Sequence, residues 1–155
     1  GWPWFTDPFT DRIGVFNPST KEFTLYDMPT GSYPQDLVID SKGMVWITEY
    51  LGNNLAMLDP RTGQITEYLV PTPECGPCLI TLDNKGNVWF TEDGRAFEYK
   101  NAWKVTMFDT TTKTFQEYVT PTPESGPISV VFDPRGNIWF NEWMGCKIGR
   151  ITLHP

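Results

Sequence analysis

The most informative segment of the chain is Asp83-Asn84-Lys85-Gly86-Asn87-Val88-Trp89-Phe90-Thr91-Glu92, because its pattern occurs three times. Each copy has a proline six residues before the aspartate, then Asp-x-x-Gly, a tryptophan, and a glutamate three residues further on. The copies are Pro34/Asp40/Gly43/Trp46/Glu49, Pro77/Asp83/Gly86/Trp89/Glu92 and Pro127/Asp133/Gly136/Trp139/Glu142. A partial copy, Trp4-Phe5-Thr6-Asp7, opens the chain, so the tryptophans lie 42, 43 and 50 residues apart. This period is typical of propeller blades rather than of helical repeats.

The composition of the chain limits the classes of protein and of partner that need to be considered. The chain has 155 residues, of which 39% are hydrophobic and 15% aromatic, enough for one packed domain. No apolar run approaches the roughly 18 to 20 residues that a membrane helix needs, so no membrane partner is expected. The net charge of −7 disfavours nucleic acid as a partner, because nucleic-acid binding depends on clustered Lys and Arg. We expect a soluble protein, and the acidic, aromatic-rich composition also fits a secreted one.

Each repeat divides into four short segments with the alternation of half-buried strands. Strand A follows the proline, and the Asp-x-x-Gly turn joins it to strand B, which carries the tryptophan. Strands C and D follow, separated by turns rich in Asp, Pro and Thr. The predicted strands are A at 36–39, 79–82 and 129–132; B at 44–48, 87–91 and 137–141; C at 13–16, 55–58, 105–108 and 148–151; and D at 23–26, 65–68 and 115–118.

The fold class is therefore all-β, a β-propeller of four-stranded antiparallel blades. In order the chain is BCD, ABCD, ABCD, ABC, which amounts to about three and a half blades, half of a seven-bladed ring. We expect residues 1–155 to be one propeller portion, with repeats near 1–33 (partial), 34–76, 77–126 and 127–155 (partial). Because unpaired sheet edges invite pairing, its expected partner is another chain or the missing part of the same propeller. A closed four-bladed ring is the less favoured alternative.

One repeat is longer than the others. Between Trp89 and Val105 there are seven residues more than between Trp46 and Leu55. The insertion lies within 93–104, lengthens a B–C loop, and carries Phe97, Tyr99 and Trp103.

The cysteines give a weaker signal. Cys75-Gly76-Pro77-Cys78 has the C-x-x-C spacing of redox proteins, but that motif acts at the start of a helix. Here the next residues, 79–82, have the pattern of a strand. A local disulfide or two plain thiols is the favoured interpretation, and Cys146 is left over.

Three stretches carry a family resemblance. Asn87 to Glu92, Lys147-Ile148-Gly149-Arg150-Ile151-Thr152, and Ile65 to Tyr68 with Pro71-Thr72-Pro73 resemble repeats of the streptogramin B lyase (virginiamycin B lyase) family. The resemblance covers the whole chain. It implies a seven-bladed propeller whose active face lies at the D–A and B–C loops. It also implies an enzyme that opens a cyclic depsipeptide antibiotic by elimination across its ester bond, with a divalent metal such as Mg²⁺.

The resemblance also implies where a site would lie. In the family the catalytic histidines follow the repeat proline, and their acidic partner is the Glu that ends strand B. Here Gln35, Cys78 and Ile128 follow the proline, and the single histidine, His154, lies beyond the last strand. We therefore assign no catalytic residue and keep Glu92 and Glu142 as candidates. The set of predicted ligand-binding residues is Gln35, Cys78, Ile128, Trp103 and Trp143.

The repeated carboxylates allow two interpretations. Facing one channel, they would bind Mg²⁺ or another divalent cation through oxygen ligands; this candidate metal set is Asp7, Glu49, Glu92 and Glu142. Alternatively, each glutamate ends its own strand and accepts hydrogen bonds from loop amides, a structural role. A lone glutamate could act as a base only if burial raised its pKa. The repeated Trp46, Trp89 and Trp139 are expected in the core between blades, whereas Trp2, Trp103 and Trp143 lie outside the repeat.

Three functions follow from these observations. The first is a propeller portion that binds a ligand or a partner on its loop face and is not catalytic on its own. The second is a metal-dependent carbon–oxygen lyase whose histidines come from the rest of the ring. The third is a structural protein that interacts through open blade edges. Small-molecule or metal affinity separates the third from the first two.

Overall fold

A computed structural model describes residues 1–94 and 103–153. This part of the chain contains fourteen strands and a 3-10 turn at Pro8–Thr10. The strands are β1 (Trp4–Asp7), β2 (Arg12–Asn17), β3 (Glu22–Asp27), β4 (Pro34–Ile39), β5 (Val45–Glu49), β6 (Asn54–Asp59), β7 (Gln64–Leu69), β8 (Pro77–Leu82), β9 (Val88–Glu92), β10 (Lys104–Asp109), β11 (Thr114–Val119), β12 (Pro127–Phe132), β13 (Ile138–Glu142) and β14 (Lys147–Ile151). No helix of the described residues is long and apolar enough to cross a membrane.

The strands form four antiparallel sheets, which we call blades 1 to 4. Blade 1 is β1-β2-β3, blade 2 is β4 to β7, blade 3 is β8 to β11, and blade 4 is β12-β13-β14. The all-β propeller prediction is confirmed, including the strand order BCD, ABCD, ABCD, ABC. The A strands β4, β8 and β12 contact one another in sequence, and β1 contacts β4. The blades therefore lie side by side with their A strands innermost.

A hydrogen bond inside blades 2, 3 and 4 explains the spacing of the repeat. The indole Nε1 of the repeat tryptophan donates to the turn aspartate, from Trp46 to Asp40, Trp89 to Asp83 and Trp139 to Asp133, at 3.1 Å in each case. The other carboxylate oxygen accepts amides of the Asp-x-x-Gly turn; in blade 3 these come from Lys85 and Asn87, both at 2.8 Å. The turn glycine has the expected positive φ, +83° at Gly86. One side chain thus fixes the turn and orients the ring.

The core lies between neighbouring blades. Trp46 of blade 2 packs with residues of blade 3, including Val88, Phe90 and Phe108. Trp89 of blade 3 likewise packs with residues of blade 4. Both rings are buried, as predicted. Trp139 has the same position in blade 4 but is only half-buried, because no described blade packs on that face. It lines an open groove of about 440 Å³ with Ser129, Val131, Phe140, Asn141 and Ile148.

A second recurring bond joins each blade to the next. The threonine before the end of strand B donates its hydroxyl to the carbonyl of the residue that follows the next blade's repeat proline. The bonds are Thr6 to Gln35 at 3.4 Å, Thr48 to Cys78 at 2.6 Å and Thr91 to Ile128 at 2.6 Å. In blade 4 the position is Asn141, whose Oδ1 accepts the amide of Ser129 within its own blade at 2.7 Å. The three bonds therefore hold all four blades in register at the same point.

The aspartate–indole bond predicts a large stability loss. We expect Asp83→Ala to lower the free energy of unfolding by about 2 to 3 kcal/mol, because it leaves a buried indole N–H and two turn amides without an acceptor. Urea denaturation monitored by tryptophan fluorescence measures this change. Glu22→Ala, at an exposed position of β3, is the matched control and should stay within about 0.5 kcal/mol of the parent. Equal effects at both positions would contradict this role of Asp83.

Candidate functional site

The residues after the repeat proline lie at β-bulges. The pairing between strands A and B shifts register immediately after Pro34, Pro77 and Pro127. Gln35, Cys78 and Ile128 follow these prolines, at the end of each inner strand nearest the D–A loop. Bulges change the direction of side chains and are common beside functional sites. Gln35 and Ile128 are half-buried, whereas Cys78 is only 5% exposed, so a ligand reaches the first two more easily.

The repeated glutamates stand opposite the prolines. Pro34 pairs with Glu49, Pro77 with Glu92 and Pro127 with Glu142. Each blade therefore places its predicted ligand-binding residue and its repeat carboxylate together, at the end of the sheet that carries the D–A and B–C loops. All three glutamates are buried, with exposures of 0%, 0% and 3%. A proline and a glutamate fifteen residues apart in sequence thus become neighbours through strand pairing.

Side chains, rather than loop amides, donate to these carboxylates. Asn54 Nδ2 donates to Glu49 Oε2 at 2.9 Å, and the Thr106 hydroxyl donates to Glu92 Oε1 at 2.5 Å. Within the described part of the chain, the other oxygen of each carboxylate has no hydrogen-bond partner, and Glu142 Oε2 has none either. The capping interpretation predicted backbone N–H donors, whereas the donors to Glu49 and Glu92 in the described part of the chain are side chains. Both donors come from strand C, which begins directly after the B–C loop.

Burial changes the acidity of two of these groups. It raises the pKa of Glu49 to about 8, opposed by the bond from Asn54 and reinforced by the nearby carboxylate of Glu67. It raises the pKa of Glu92 to about 7, opposed by the bond from Thr106. A carboxyl group with a pKa near neutrality can both accept and donate a proton in this pH range. The condition for a glutamate to act as a base is thus met at Glu92 and Glu49.

Strand D supplies partners that the sequence interpretation did not include. Glu67 accepts the second N–H of Asn54 at 3.1 Å. The corresponding residue of blade 3, Glu117, forms an ion pair with Lys104 at 2.8 Å and accepts the Thr72 hydroxyl at 2.6 Å. The signal for this role was present in the sequence, because Glu precedes the strand D tyrosine in both complete repeats.

The predicted metal set is divided among the four blades. Asp7 belongs to blade 1 and accepts the hydroxyl of Thr10 at 2.6 Å, while Glu49, Glu92 and Glu142 end strands of blades 2, 3 and 4. In residues 1–94 and 103–153 there is no group of three or more His, Cys, Asp or Glu that could hold a metal ion. The unpartnered carboxylate oxygens suit a hard cation, but Mg²⁺ requires near-octahedral coordination. These residues do not form such a site within the described part of the chain.

The tryptophans outside the repeat differ in accessibility. Trp143 follows Glu142 in the B–C loop of blade 4 and is 58% exposed, with its amide bonded to the carbonyl of Gly126 at 3.1 Å. Trp103 is half-buried immediately before β10, where its carbonyl accepts the Thr120 hydroxyl at 3.1 Å. Trp2 is 52% exposed. The predictions for Phe97, Tyr99 and His154 lie outside the described residues.

The C-x-x-C segment contains two free, buried thiols. Burial raises the pKa of Cys78 to about 12 and raises that of Cys75 as well. Because the thiolate is the reactive form, neither thiol is activated for redox chemistry. Cys146 is free and exposed.

Comparison with known proteins places this geometry in a family. The four sheets and their loop-face carboxylates define the class of protein as a β-propeller portion. The virginiamycin B lyase family model matches residues 1–155, and the chain belongs to that family. Comparison with curated protein sequences found no match.

Solved structures show the same likeness. Selenomethionine-substituted virginiamycin B lyase from Staphylococcus aureus is 31% identical, with a TM-score of 0.84, over 96% of this chain and 48% of that one. A catalytically inactive form of the same lyase with quinupristin is 33% identical, also with a TM-score of 0.84, over 96% and 48%. This chain therefore spans about half the length of the structures it matches. A putative gluconolactonase matches at a TM-score of 0.78 over 98% of this chain and 55% of that one, but at 13% identity it shows the fold alone.

The raised pKa values of Glu49 and Glu92 predict how stability changes with pH. The folded-state pKa values of about 8 for Glu49 and about 7 for Glu92 lie above their ordinary value of 4.5. The unfolded chain therefore releases these protons first, and we expect stability to fall as the pH rises from about 4.5 to about 8. Thermal unfolding followed by circular dichroism at several pH values measures this slope.

Variants test whether the buried glutamates cause the slope. Glu49→Gln should flatten it and raise the melting temperature at pH values near 8, since an amide has no proton to lose. Glu22→Gln, at an exposed position, should leave the slope unchanged. A parent slope that Glu49→Gln and Glu92→Gln do not reduce would contradict the assignment.

Proposed function

We propose that this chain is a propeller portion that binds a ligand on its D–A and B–C loop face and is not catalytic by itself. The observation that supports this most directly is the junction of each inner strand with its B strand. A bulged residue after the repeat proline stands there beside a buried glutamate. This arrangement occurs in blades 2, 3 and 4, yet the bulged residues are Gln35, Cys78 and Ile128. A proton acceptor of the histidine type is absent from all three positions.

The open blade faces support completion of the ring by further blades. Val131 and Ile148, on the face of blade 4 that carries Trp139, are 55% and 77% exposed. Apolar exposure of this extent beside an unpaired strand edge at β14 is typical of a surface that another element covers. We infer that the covering element is either the missing part of the same propeller or another chain. Asn141 Nδ2 would then donate to that element, as the threonine hydroxyls do in the other blades.

A lyase is the second candidate. It is favoured by the likeness to virginiamycin B lyase over nearly the whole chain and by the raised pKa of Glu92. Elimination across an ester needs a base that removes a proton next to a carbonyl and an electrophile that stabilises the enolate. Here histidines from the rest of the ring would act as the base. A divalent cation would act as the electrophile, and the rest of the ring would supply its site, because Asp7, Glu49, Glu92 and Glu142 form no such site within residues 1–94 and 103–153. Glu92 and Glu142 would then position or assist the base.

Quinupristin tests the two candidates against each other. With Mg²⁺ present, we expect the 155-residue chain to bind quinupristin but to leave its ring closed. Chromatography with ultraviolet detection measures ring opening; mass spectrometry distinguishes elimination, which leaves the mass unchanged, from hydrolysis, which adds one water. Calorimetry measures binding, and Glu92→Gln should weaken it while Glu22→Gln should not. Turnover by the chain alone would contradict the first candidate, and absence of binding would contradict both.

The native mass tests the completion of the ring. If another chain covers the open faces, we expect light scattering on a size-exclusion column to give a particle larger than one chain. Val131→Glu, which places a charge on the exposed face of blade 4, should then return the mass to that of one chain. Asp27→Ala, on an exposed side chain of β3, is the control and should not change the mass. A single-chain particle would instead favour completion by the missing part of the same propeller.

A further inference from the structure

An unusual backbone conformation occurs at Tyr33. This residue immediately precedes the repeat proline of blade 2, and the corresponding residues of the other blades are Gly76 and Gly126. All three have positive φ, +51° at Tyr33, +62° at Gly76 and +53° at Gly126. Glycine adopts this conformation freely, whereas a bulky side chain there is strained. A following proline disfavours it further. Of the three residues at this position, only the tyrosine therefore adopts the conformation at a steric cost.

The surrounding loop holds Tyr33 in this conformation. The carboxylate of Asp11 accepts the amide of Tyr33 at 2.8 Å, the amide of Gly31 at 2.7 Å and the hydroxyl of Ser32 at 3.3 Å. These bonds also hold the pKa of Asp11 below its usual value, so its charge persists across the physiological pH range. The B–C loop of blade 1 thus fixes the D–A loop that carries the tyrosine. Strained residues fixed by their neighbours are typical of functional sites.

The Tyr33 ring belongs to a row of three aromatic side chains, which we call the aromatic row. Phe9 meets it edge to face with ring centroids 5.6 Å apart, and the centroid of the Tyr50 ring lies 6.1 Å from that of Tyr33. The three rings come from three successive loops of the face on which the predicted site lies. Phe9 is 88% exposed, and Tyr33 is half-buried. A large aromatic ring so exposed contributes almost nothing to the core.

The charge beside the aromatic row is negative. Asp7 and Asp11 flank Phe9 in sequence, and their described partners are hydroxyl and amide groups rather than cations. Arg12, the next residue, is directed to Asp27 at 2.7 Å. In the described part of the chain, Lys113 and Arg150 lie over other rings, and no cation lies over Phe9 or Tyr33. Electron-rich ring faces beside uncompensated carboxylates attract organic cations.

We propose that the aromatic row, with Asp7 and Asp11, is a subsite for an ammonium group carried by the ligand. The ammonium lies against the rings of Phe9 and Tyr33, and the two carboxylates provide the longer-range attraction. This inference rests on the proposed function insofar as both require the loop face to bind ligands. It adds the charge and position of one group of that ligand. The strained tyrosine is then explained by ligand binding, since the other blades place glycine at the same position.

Choline and its neutral isostere 3,3-dimethylbutan-1-ol test the proposal on the 155-residue chain. We expect NMR titration to show that choline binds at least about threefold more tightly than the alcohol, as a cation–π contact at an exposed site implies. Added salt should weaken choline binding, because the carboxylate attraction is screened. Failure of choline to bind, or equal binding of the alcohol, would overturn the proposal.

Variants locate the site and separate ligand binding from folding. Tyr33→Asn removes the ring but keeps a residue that tolerates positive φ, so it should fold with an unchanged or raised melting temperature. It should weaken choline binding about three- to fivefold, as should Phe9→Ala. The control is Phe23→Ala, which removes a ring that is 62% exposed at the opposite end of blade 1 and should leave binding unchanged. Choline binding that Tyr33→Asn and Phe9→Ala do not weaken would place the cation elsewhere and overturn the proposal.

The quinupristin experiment has an independent outcome. Quinupristin binding without choline binding would overturn only the ammonium subsite. Choline binding without quinupristin binding would leave the subsite standing and would contradict the proposed ligand class.

Discussion

The hydrogen bond between the turn aspartate and the repeat indole is the interaction on which the other contacts depend. It places the tryptophan in the gap between two blades while the same carboxylate closes the A–B turn. The aspartate thereby couples a local turn to the packing of the next sheet. Because both ends of the bond come from one repeat, each blade can form it independently. The contacts between blades then follow from where the rings lie.

The pairing of strands A and B has two consequences for the loop face. Pairing strand A with strand B brings the repeat proline opposite the glutamate, and the bulge after the proline exposes the next carbonyl to the threonine of the preceding blade. The same few residues therefore join the blades and bury a carboxylate. Burial raises the pKa of Glu49 and Glu92. The residues that join the blades are thus the same residues whose pKa values burial shifts, so sequence position alone does not separate a structural role from a chemical one.

The blades are alike in their framework and different in the side chains they present. At the position before the repeat proline, two blades carry glycine and one carries Tyr33. At the position before the last residue of strand B, three blades carry threonine and one carries Asn141. Such departures cost conformational strain or a lost hydrogen bond, so they indicate where a blade has a task that its neighbours do not share. For Tyr33 the task we infer is ligand contact, and for Asn141 it is contact with a covering element.

The repeat, the strand order and the buried position of Trp46 and Trp89 could be predicted from the amino-acid sequence, because these depend on local alternation, turn chemistry and a fixed spacing. The sequence also identified Glu49, Glu92 and Glu142 as a recurring set. Three further points came from the folded chain: Asn54 and Thr106 donate to Glu49 and Glu92, the carboxylates belong to separate blades, and the rings of Phe9 and Tyr50 both lie near Tyr33. Those contacts join residues from different strands or loops, and no spacing along the chain encodes the distance between them. The pKa values likewise follow from burial, which exists only once the blades have packed.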